Sequence, residues 1–564
     1  MHDRYPDITC RTPTHWMLAI VAIVLIGPGP ASAADPRALE LERRTREQLE
    51  LEQRLRLLER SGASSSKPLP APAPAASAES CWQVRGLRLA GNTLISQTLI
   101  SARLQPLMSD CMSASHINHL LASLTALYVD AGYIASRPYL AQRPQDGQSL
   151  DILIEEGFVE SIELADPSLA ISLRSAFPGM LGEPLQLREL EQGLDQLNRL
   201  RSMDLTADVA PGSLPGGSRL LIRPRISASP IGVAMTYNNR GTEYIGRNNG
   251  ALNLTYDSPL GLNDFIAIGA SATLDQMSAY SRSQSLYYNI PYGFWTLALS
   301  ASHAQYRYPI QLPNQTITAN GQTHQYSLSL NRLLWRDQGT LLNGALRLSS
   351  KRSKSYVADQ YLAIQSPSLT VAEASLNLLK ISDGIWNTTL SYAQGLDRLG
   401  ADRDEQRLSP DLPRAQFRKY RADINYWRQS RDARWNWNSQ LALQYSPDPL
   451  SSLEQMLLTD AYAVRGFRQA LVSAANGAVW RNTLSLPRNL DAQWTLTPRL
   501  GLDVGWSKLL EGAKSQRLAG ASVGLGLSGR HWQLDLDYQH GLYGPPPLNK
   551  EPGFWLLELS LRTP

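Results

Sequence analysis

The chain has 564 residues, with 54 Lys and Arg against 50 Asp and Glu for a formal net charge of +4. That length exceeds one small domain, and the near balance of charge gives no support to a binder of polyanionic nucleic acid. Trp and Tyr together number 36 against 7 Phe, and mean hydropathy is −0.27. Amphipathic rings in that excess suit a membrane–water interface, whereas so polar a chain excludes a helical membrane protein.

Residues 16–27, WMLAIVAIVLIG, form one apolar run preceded by Arg4 and Arg11 and followed by Pro28-Gly29-Pro30 and Ala31-Ser32-Ala33. A charged start, a short apolar run, a helix break and a small-residue site predict a signal peptide over 1–33, cleaved after Ala33. Three cysteines are too few for a disulfide-dense scaffold, and cleavage removes Cys10. The remaining Cys81 and Cys111 read as one disulfide in an oxidising compartment. Residues 34–60 read as one helix, with Asp35 as N-cap and Pro36 at the first helical position. Its acids and bases are mixed and Leu51, Leu55 and Leu58 make only a thin stripe, so it cannot hold a core of its own. It is a solvated helix, a coiled-coil strand or a plug in a water-filled cavity. The Ser/Pro/Ala-rich stretch 61–80 reads as a linker.

Two small α/β modules follow, 81–157 and 158–226. In the first, WQVRGLRLAGN reads as a strand, followed by two helical segments and the alternating SLDILIEEGF. The second runs from VESIELAD through the helix LQLRELEQGLDQLNRLR to SRLLIRPRIS, and the tandem suggests an internal repeat. From 227 to 564 the period changes to two. Residues 420–426 place Tyr420, Ala422, Ile424 and Tyr426 opposite Arg421, Asp423 and Asn425, and about sixteen segments of this kind occur. Roughly ten alternating residues per segment, an even strand count and a polar second face predict an antiparallel membrane β-barrel. A soluble sandwich or propeller does not explain acids and arginines alternating with aromatics in segment after segment. Closure satisfies every backbone group in lipid, which lets so polar a chain span.

Several stretches then carry a resemblance. They are Ala131-Gly132-Tyr133-Ile134 with Ser136-Arg137, Glu155-Glu156-Gly157-Phe158-Val159-Glu160, the helix LRELEQGLDQLNRL from Leu187, the turn Asp257-Ser258-Pro259-Leu260-Gly261-Leu262-Asn263-Asp264, and Ile290-Pro291-Tyr292-Gly293. In this order they resemble the two-partner secretion transporters (TpsB) of the haemolysin-activator type. The resemblance covers the whole mature chain and implies a helix, a linker, two POTRA domains and a sixteen-stranded barrel. Val464-Arg465-Gly466-Phe467, in a long loop at 447–477, matches the tip of that family's sixth extracellular loop, which folds back into the lumen. Period two in WTLTPRLGLDVGW sends Trp494, Leu496, Leu500, Leu502, Val504 and Trp506 to lipid, and Arg499, Gly501, Asp503 and Gly505 inward. Gly501-x-Asp503-x-Gly505 also resembles the family's strand motif, so an Arg465–Asp503 pair is expected in the lumen. Thr483 stands where many family members carry an acid. The resemblance further implies a large TpsA-like exoprotein recognised by POTRA domains in the periplasm, insertion by the barrel assembly machinery, and a surround of outer-membrane lipid.

Other motifs carry no chemistry. Gly520-Ala521-Ser522-Val523-Gly524 and Gly524-Leu525-Gly526-Leu527-Ser528-Gly529 fit G-x-S-x-G and G-x-G-x-x-G, but lack the strand–turn–helix context those sites need. They read as close packing in a glycine-rich strand. His116 and His119 are too few ligands for zinc. No enzyme, metal or cofactor is expected. The readings that compete with secretion are an insertion factor for other outer-membrane proteins and a diffusion porin with periplasmic appendages.

Overall fold

The computed structural model describes residues 43, 46–55 and 81–563, except 243–244, 276–277, 313–314, 338, 406–408, 410–411, 461, 469–471, 509–514, 546–547 and 549–550. The expected signal peptide and linker lie outside the described residues. The first module contains β1 (Cys81–Gln83), β2 (Leu87–Ala90), α1 (Gln97–Leu104), β3 (Cys111–Ser113), α2 (Ala114–Asp130), β4 (Arg137–Leu140) and β5 (Leu150–Glu155). The stretch read as one strand is two. β1 pairs with β3, and Cys81 is bonded to Cys111 with Cα atoms 5.3 Å apart. β2 instead pairs with β5 in a sheet ordered β2-β5-β4. The chain between them changes sheets at Arg85, whose N–H bonds the Gln148 carbonyl.

The second module contains β6 (Phe158–Leu164), α3 (Leu173–Ala176), α4 (Leu187–Asn198), β7 (Met203–Pro211) and β8 (Gly217–Ser227), so it ends one residue beyond 226. Its sheet is ordered β6-β8-β7. In both modules the first and last of these three strands are parallel and the middle one pairs antiparallel with the last. The repeat faint in sequence is therefore plain in topology. Ile100, Leu104, Leu120, Leu124 and Tyr128 bury the first helical face against Ile152 and Ile154, and Leu190 and Leu197 do so in the second against Leu220 and Ile222.

Two glutamates perform one job in the two modules. Glu156 accepts from the Thr93 N–H at 2.8 Å, the Leu94 N–H at 2.9 Å and the Tyr128 hydroxyl at 2.8 Å. Glu160 accepts from the Ser213 and Leu214 N–H groups at 2.8 and 3.0 Å. Each carboxylate ties down a loop that the strands leave without partners. The modules join where Ile134 and Ala135 pack on the second core and the Leu187 N–H bonds the Gly132 carbonyl at 2.8 Å. His116 closes a capping box with Ser113 at the start of α2, so its place three residues after that cap is helical punctuation.

Sixteen long strands, from Ile231–Asn238 to Phe554–Arg562, close into one antiparallel barrel; Gln360–Tyr361 and Arg488–Asn489 add two short extensions. The first and sixteenth strands meet along five residue pairs, from Glu558↔Asn238 to Arg562↔Ala234. Thr563 prolongs this seam through its N–H to the Val233 carbonyl and its hydroxyl from the Val233 N–H, both at 2.9 Å. Outward side chains form an apolar band between two aromatic belts. Trp386, Tyr426 and Trp437 touch ring to ring near the periplasmic end, and Tyr392, Tyr420 and Tyr445 near the other.

The second module is seated on the periplasmic turns that the sequence singled out. The Asn263 side chain, in the turn after the second strand, accepts from the Ser172 N–H at 2.9 Å and donates to the Ser172 carbonyl and the Ser175 hydroxyl, both at 2.8 Å. The Gly293 carbonyl, in the next periplasmic turn, accepts from Gln192 and Gln196 at 3.1 and 2.7 Å. Arg199, just past α4, donates to Asn289 Oδ1 at 2.7 Å and the Asn263 carbonyl at 2.5 Å. Burial pushes its guanidinium down to about 10, so it remains cationic at neutral pH. Asp257 accepts from the Ser202 N–H at 2.7 Å.

Candidate functional site: the lumen and its folded-back loop

The eleventh strand (Asn436–Tyr445) and the twelfth (Asn476–Ser485) are joined by a loop at 446–475. It ends before the expected 477 because Asn476 and Gly477 already pair with Lys508 and Ser507 of the thirteenth strand, Thr495–Lys508. The loop enters the barrel. Val464 and Phe467 are buried with Leu458, Ala463, Val479, Leu518 and Leu548, so the tip carries a small apolar core of its own into a polar lumen.

Period two in the thirteenth strand sets the partner. Leu500, Leu502, Val504 and Trp506 are exposed on the outer face, while Asp503 is wholly buried on the inner one. Arg465 Nε and Nη2 meet the two carboxylate oxygens of Asp503 at 2.7 and 2.6 Å, a two-pronged pair, and the Arg465 backbone N–H adds a bond at 3.0 Å. Nη1 donates to the Ser522 hydroxyl at 3.0 Å and Nη2 to the Asn482 carbonyl at 2.8 Å. Arg481 approaches the same carboxylate at 3.7 Å. Thr483 makes no hydrogen bond or ion pair to Arg465 among the described residues; Ser522 and the Asn482 carbonyl accept two further N–H groups of the guanidinium.

Glycines make this approach possible. A methyl at Gly501 would overlap the Arg465 guanidinium, one at Gly505 would stand 2.7 Å from a Val464 methyl, and one at Gly520 would overlap the Arg465 carbonyl. Gly466 itself has φ +91°, a conformation that L side chains rarely adopt. Gly520 and Ser522 are the residues whose spacing fits G-x-S-x-G. They lie in the fourteenth strand (Gln516–Ser528), and their neighbours give them a positional use: they form the seat of the loop tip.

A second attachment was missed by sequence reasoning. Glu454, buried in the same loop, accepts from Lys351 Nζ at 2.6 Å and Lys419 Nζ at 2.5 Å. Both lysines are inward residues of the seventh strand (Thr340–Val357) and the tenth (Arg418–Gln429). The signal was present, since Lys419 flanks the outward Tyr420, but nothing in the sequence names Glu454 as its partner. The loop is thus held to strands on two sides of the barrel.

The helix described at 46–55 also lies within the lumen. Leu49 packs against Phe265, Tyr287 and Ala298, and Leu51 and Leu55 against Leu341 and Leu379. Its polar side carries Arg43–Glu47 at 2.8 Å and Arg54–Glu50 at 3.5 Å. Between helix, loop and wall remains a cavity of about 1030 Å³ lined by charged groups including Arg347, Arg421 and Asp423. No group of His, Cys, Asp and Glu suited to a metal occurs among the described residues.

A plugged polar barrel behind two small α/β modules places the chain among the POTRA-barrel transporters of the outer membrane. Residues 216–527 match the family described as haemolysin secretion/activation protein ShlB/FhaC/HecB. Residues 82–157 match a POTRA domain of ShlB type, and 158–211 a further POTRA domain. The chain is 38% identical over 468 residues to the hemolysin transporter protein ShlB of Serratia marcescens, covering 82% of each. It is 33% identical to the hemolysin transporter protein HpmB of Proteus mirabilis, covering 84% of each. The solved structure of CdiB from Escherichia coli superposes with a TM-score of 0.83 at 26% identity, covering 94% of this chain and 99% of that one. The chain belongs to the ShlB/FhaC/HecB family. It is a two-partner secretion transporter of the outer membrane, its POTRA domains periplasmic and its barrel the route of exoprotein export.

Proposed function

We propose that the POTRA domains recognise the amino-terminal secretion domain of one large exoprotein, and that the helix described at 46–55 and the 446–475 loop together gate its passage. The observation that carries this reading is the occupied lumen: helix 46–55 packs on Leu341 and Leu379 while Arg465 is clamped to Asp503. An extended chain can add to an exposed POTRA sheet edge by backbone pairing before it folds. Departure of the helix and release of Arg465 then open a polar conduit. The driving force is passenger folding outside the cell, which prevents backsliding. Planar-bilayer conductance tests the gate: protein lacking residues 35–60 is expected to show larger and more frequent openings than the full chain. Equal conductance contradicts the plug.

A further inference from the structure

The outer wall of the fourth to seventh barrel strands departs from the apolar pattern at one level. Along the fifth strand (Trp295–Leu312), Trp295, Leu297 and Leu299 are exposed to lipid, and the same parity carries His303, Gln305 and Arg307. Strand register aligns outward rows across four strands: Gln284, His303, His324 and Arg352 in one, Arg282, Gln305, Gln322 and Lys354 in the next. The His303 and His324 rings stack at 4.3 Å. Arg282, Arg307, Arg352 and Lys354 are all exposed, and neither row contains a carboxylate. Arg282 lies over the Tyr280 ring at 4.8 Å, and Arg352 donates to the Leu399 carbonyl at 3.1 Å.

Height fixes what these groups face. With a rise of about 3.3 Å per residue and a tilt of about 40°, His303 stands roughly 20 Å and Arg307 roughly 30 Å above Trp295 at the periplasmic belt. The cations therefore straddle the outer edge of an apolar band about 25 Å tall. Beside them the wall is recessed. A hollow of about 500 Å³ is lined by Gly250, Leu252, Ala270, Ala272 and Leu274 and rimmed by Arg282 and His303. Small outward residues on adjacent strands remove the side chains that would fill it.

An anion-attracting row beside a lipid-facing apolar hollow matches the two halves of one amphiphile. We propose that this face is a binding site for a phosphorylated lipid of the outer leaflet, with an acyl chain in the hollow and its phosphate on Arg282, the stacked imidazoles and Lys354. Arg282, Arg352 and Lys354, gathered in two rows that hold no carboxylate, repel one another, and a phosphate beside them offsets the repulsion.

Native mass spectrometry of the full-length barrel with diphosphoryl lipid A tests the site. The wild type is expected to retain one lipid, and to retain lipid A stripped of its phosphates about tenfold less, the effect of losing roughly one charge-assisted contact. An Arg282→Gln/Lys354→Gln variant is expected to lose diphosphoryl lipid A to the same extent, and Ala272→Trp, which fills the hollow, to weaken it with the charges intact. Heat-dependent gel migration reports that each variant is a folded barrel. Equal retention of phosphorylated and stripped lipid by the wild type overturns the proposal without recourse to any variant. Equal retention by wild type and the charge variant overturns it also.

Discussion

Arg465 and Asp503 form a pair in which neither member has an exposed alternative, since Asp503 is wholly buried and Arg465 is 6% exposed. Removing one partner of such a pair leaves an uncompensated buried charge and costs about 3–5 kcal/mol. The glycines permit a finer test of position as opposed to charge. Gly520→Ala keeps both charges but places a methyl where the Arg465 carbonyl lies. It is expected to lift the loop tip and to expose 446–475 to protease added outside cells, and Arg465→Ala is expected to do the same. Protection equal to wild type would show that the seat tolerates a side chain. At this scale the lumenal pair was legible because two independent signals met: a loop motif, and a strand whose period of two sends Asp503 inward. The seat at Gly520 and Ser522 was legible only as a motif without context. Its use depends on a loop tip more than fifty residues away in sequence, which no local pattern encodes.

Among the elements, each POTRA domain depends on a carboxylate that fastens a loop. For Glu156, burial raises the pKa, but hydrogen bonds from Thr93, Leu94 and Tyr128 outweigh it and the net shift is downward. A group depressed in the folded state contributes its full stabilisation above the ordinary carboxylate range and loses it as pH falls through the folded value. Thermal melting of the first domain within the full chain is therefore expected to fall on acidification below about pH 4.5. Glu156→Gln is expected to be less stable at neutral pH and to show a flatter acid dependence. Parallel pH profiles for the two proteins would remove Glu156 from that role. The same elements show where sequence reading stopped. Helices α1, α2 and α4 followed from apolar spacing, whereas the break between β1 and β2 did not. Val84 and Arg85 continue the alternation and a one-residue shift of phase at Gly86 is its only local mark; pairing with β3 on one side and β5 on the other divides the stretch.

Over the whole molecule, the second POTRA domain and the barrel are joined through buried polar contacts. Arg199 is the centre of that junction, buried against Asn289 and the Asn263 carbonyl. Arg199→Ala strands these acceptors and is expected to loosen the second POTRA domain from the turns, read as faster protease cleavage near 227–230 with the barrel's heat-dependent migration unchanged. Unaltered cleavage would mean that Asn263 and Gly293 hold the domain without it. The turns themselves were recognised in the sequence, but their partners were not, because a turn's local chemistry does not say what docks on it. The barrel was the most legible feature of all. Its alternation repeats strand after strand, polar inward and apolar outward over most of the wall, which leaves one solution for the backbone in lipid.

The most direct test is secretion of the cognate exoprotein into the medium by cells carrying wild type or Arg465→Ala, with outer-membrane insertion of both barrels checked. Release by the wild type and a sharp loss in the variant is the predicted result, since the proposed gate needs the clamp both to form and to release, and the variant cannot form it. Full secretion by the correctly inserted variant would contradict the gating role of the Arg465–Asp503 pair.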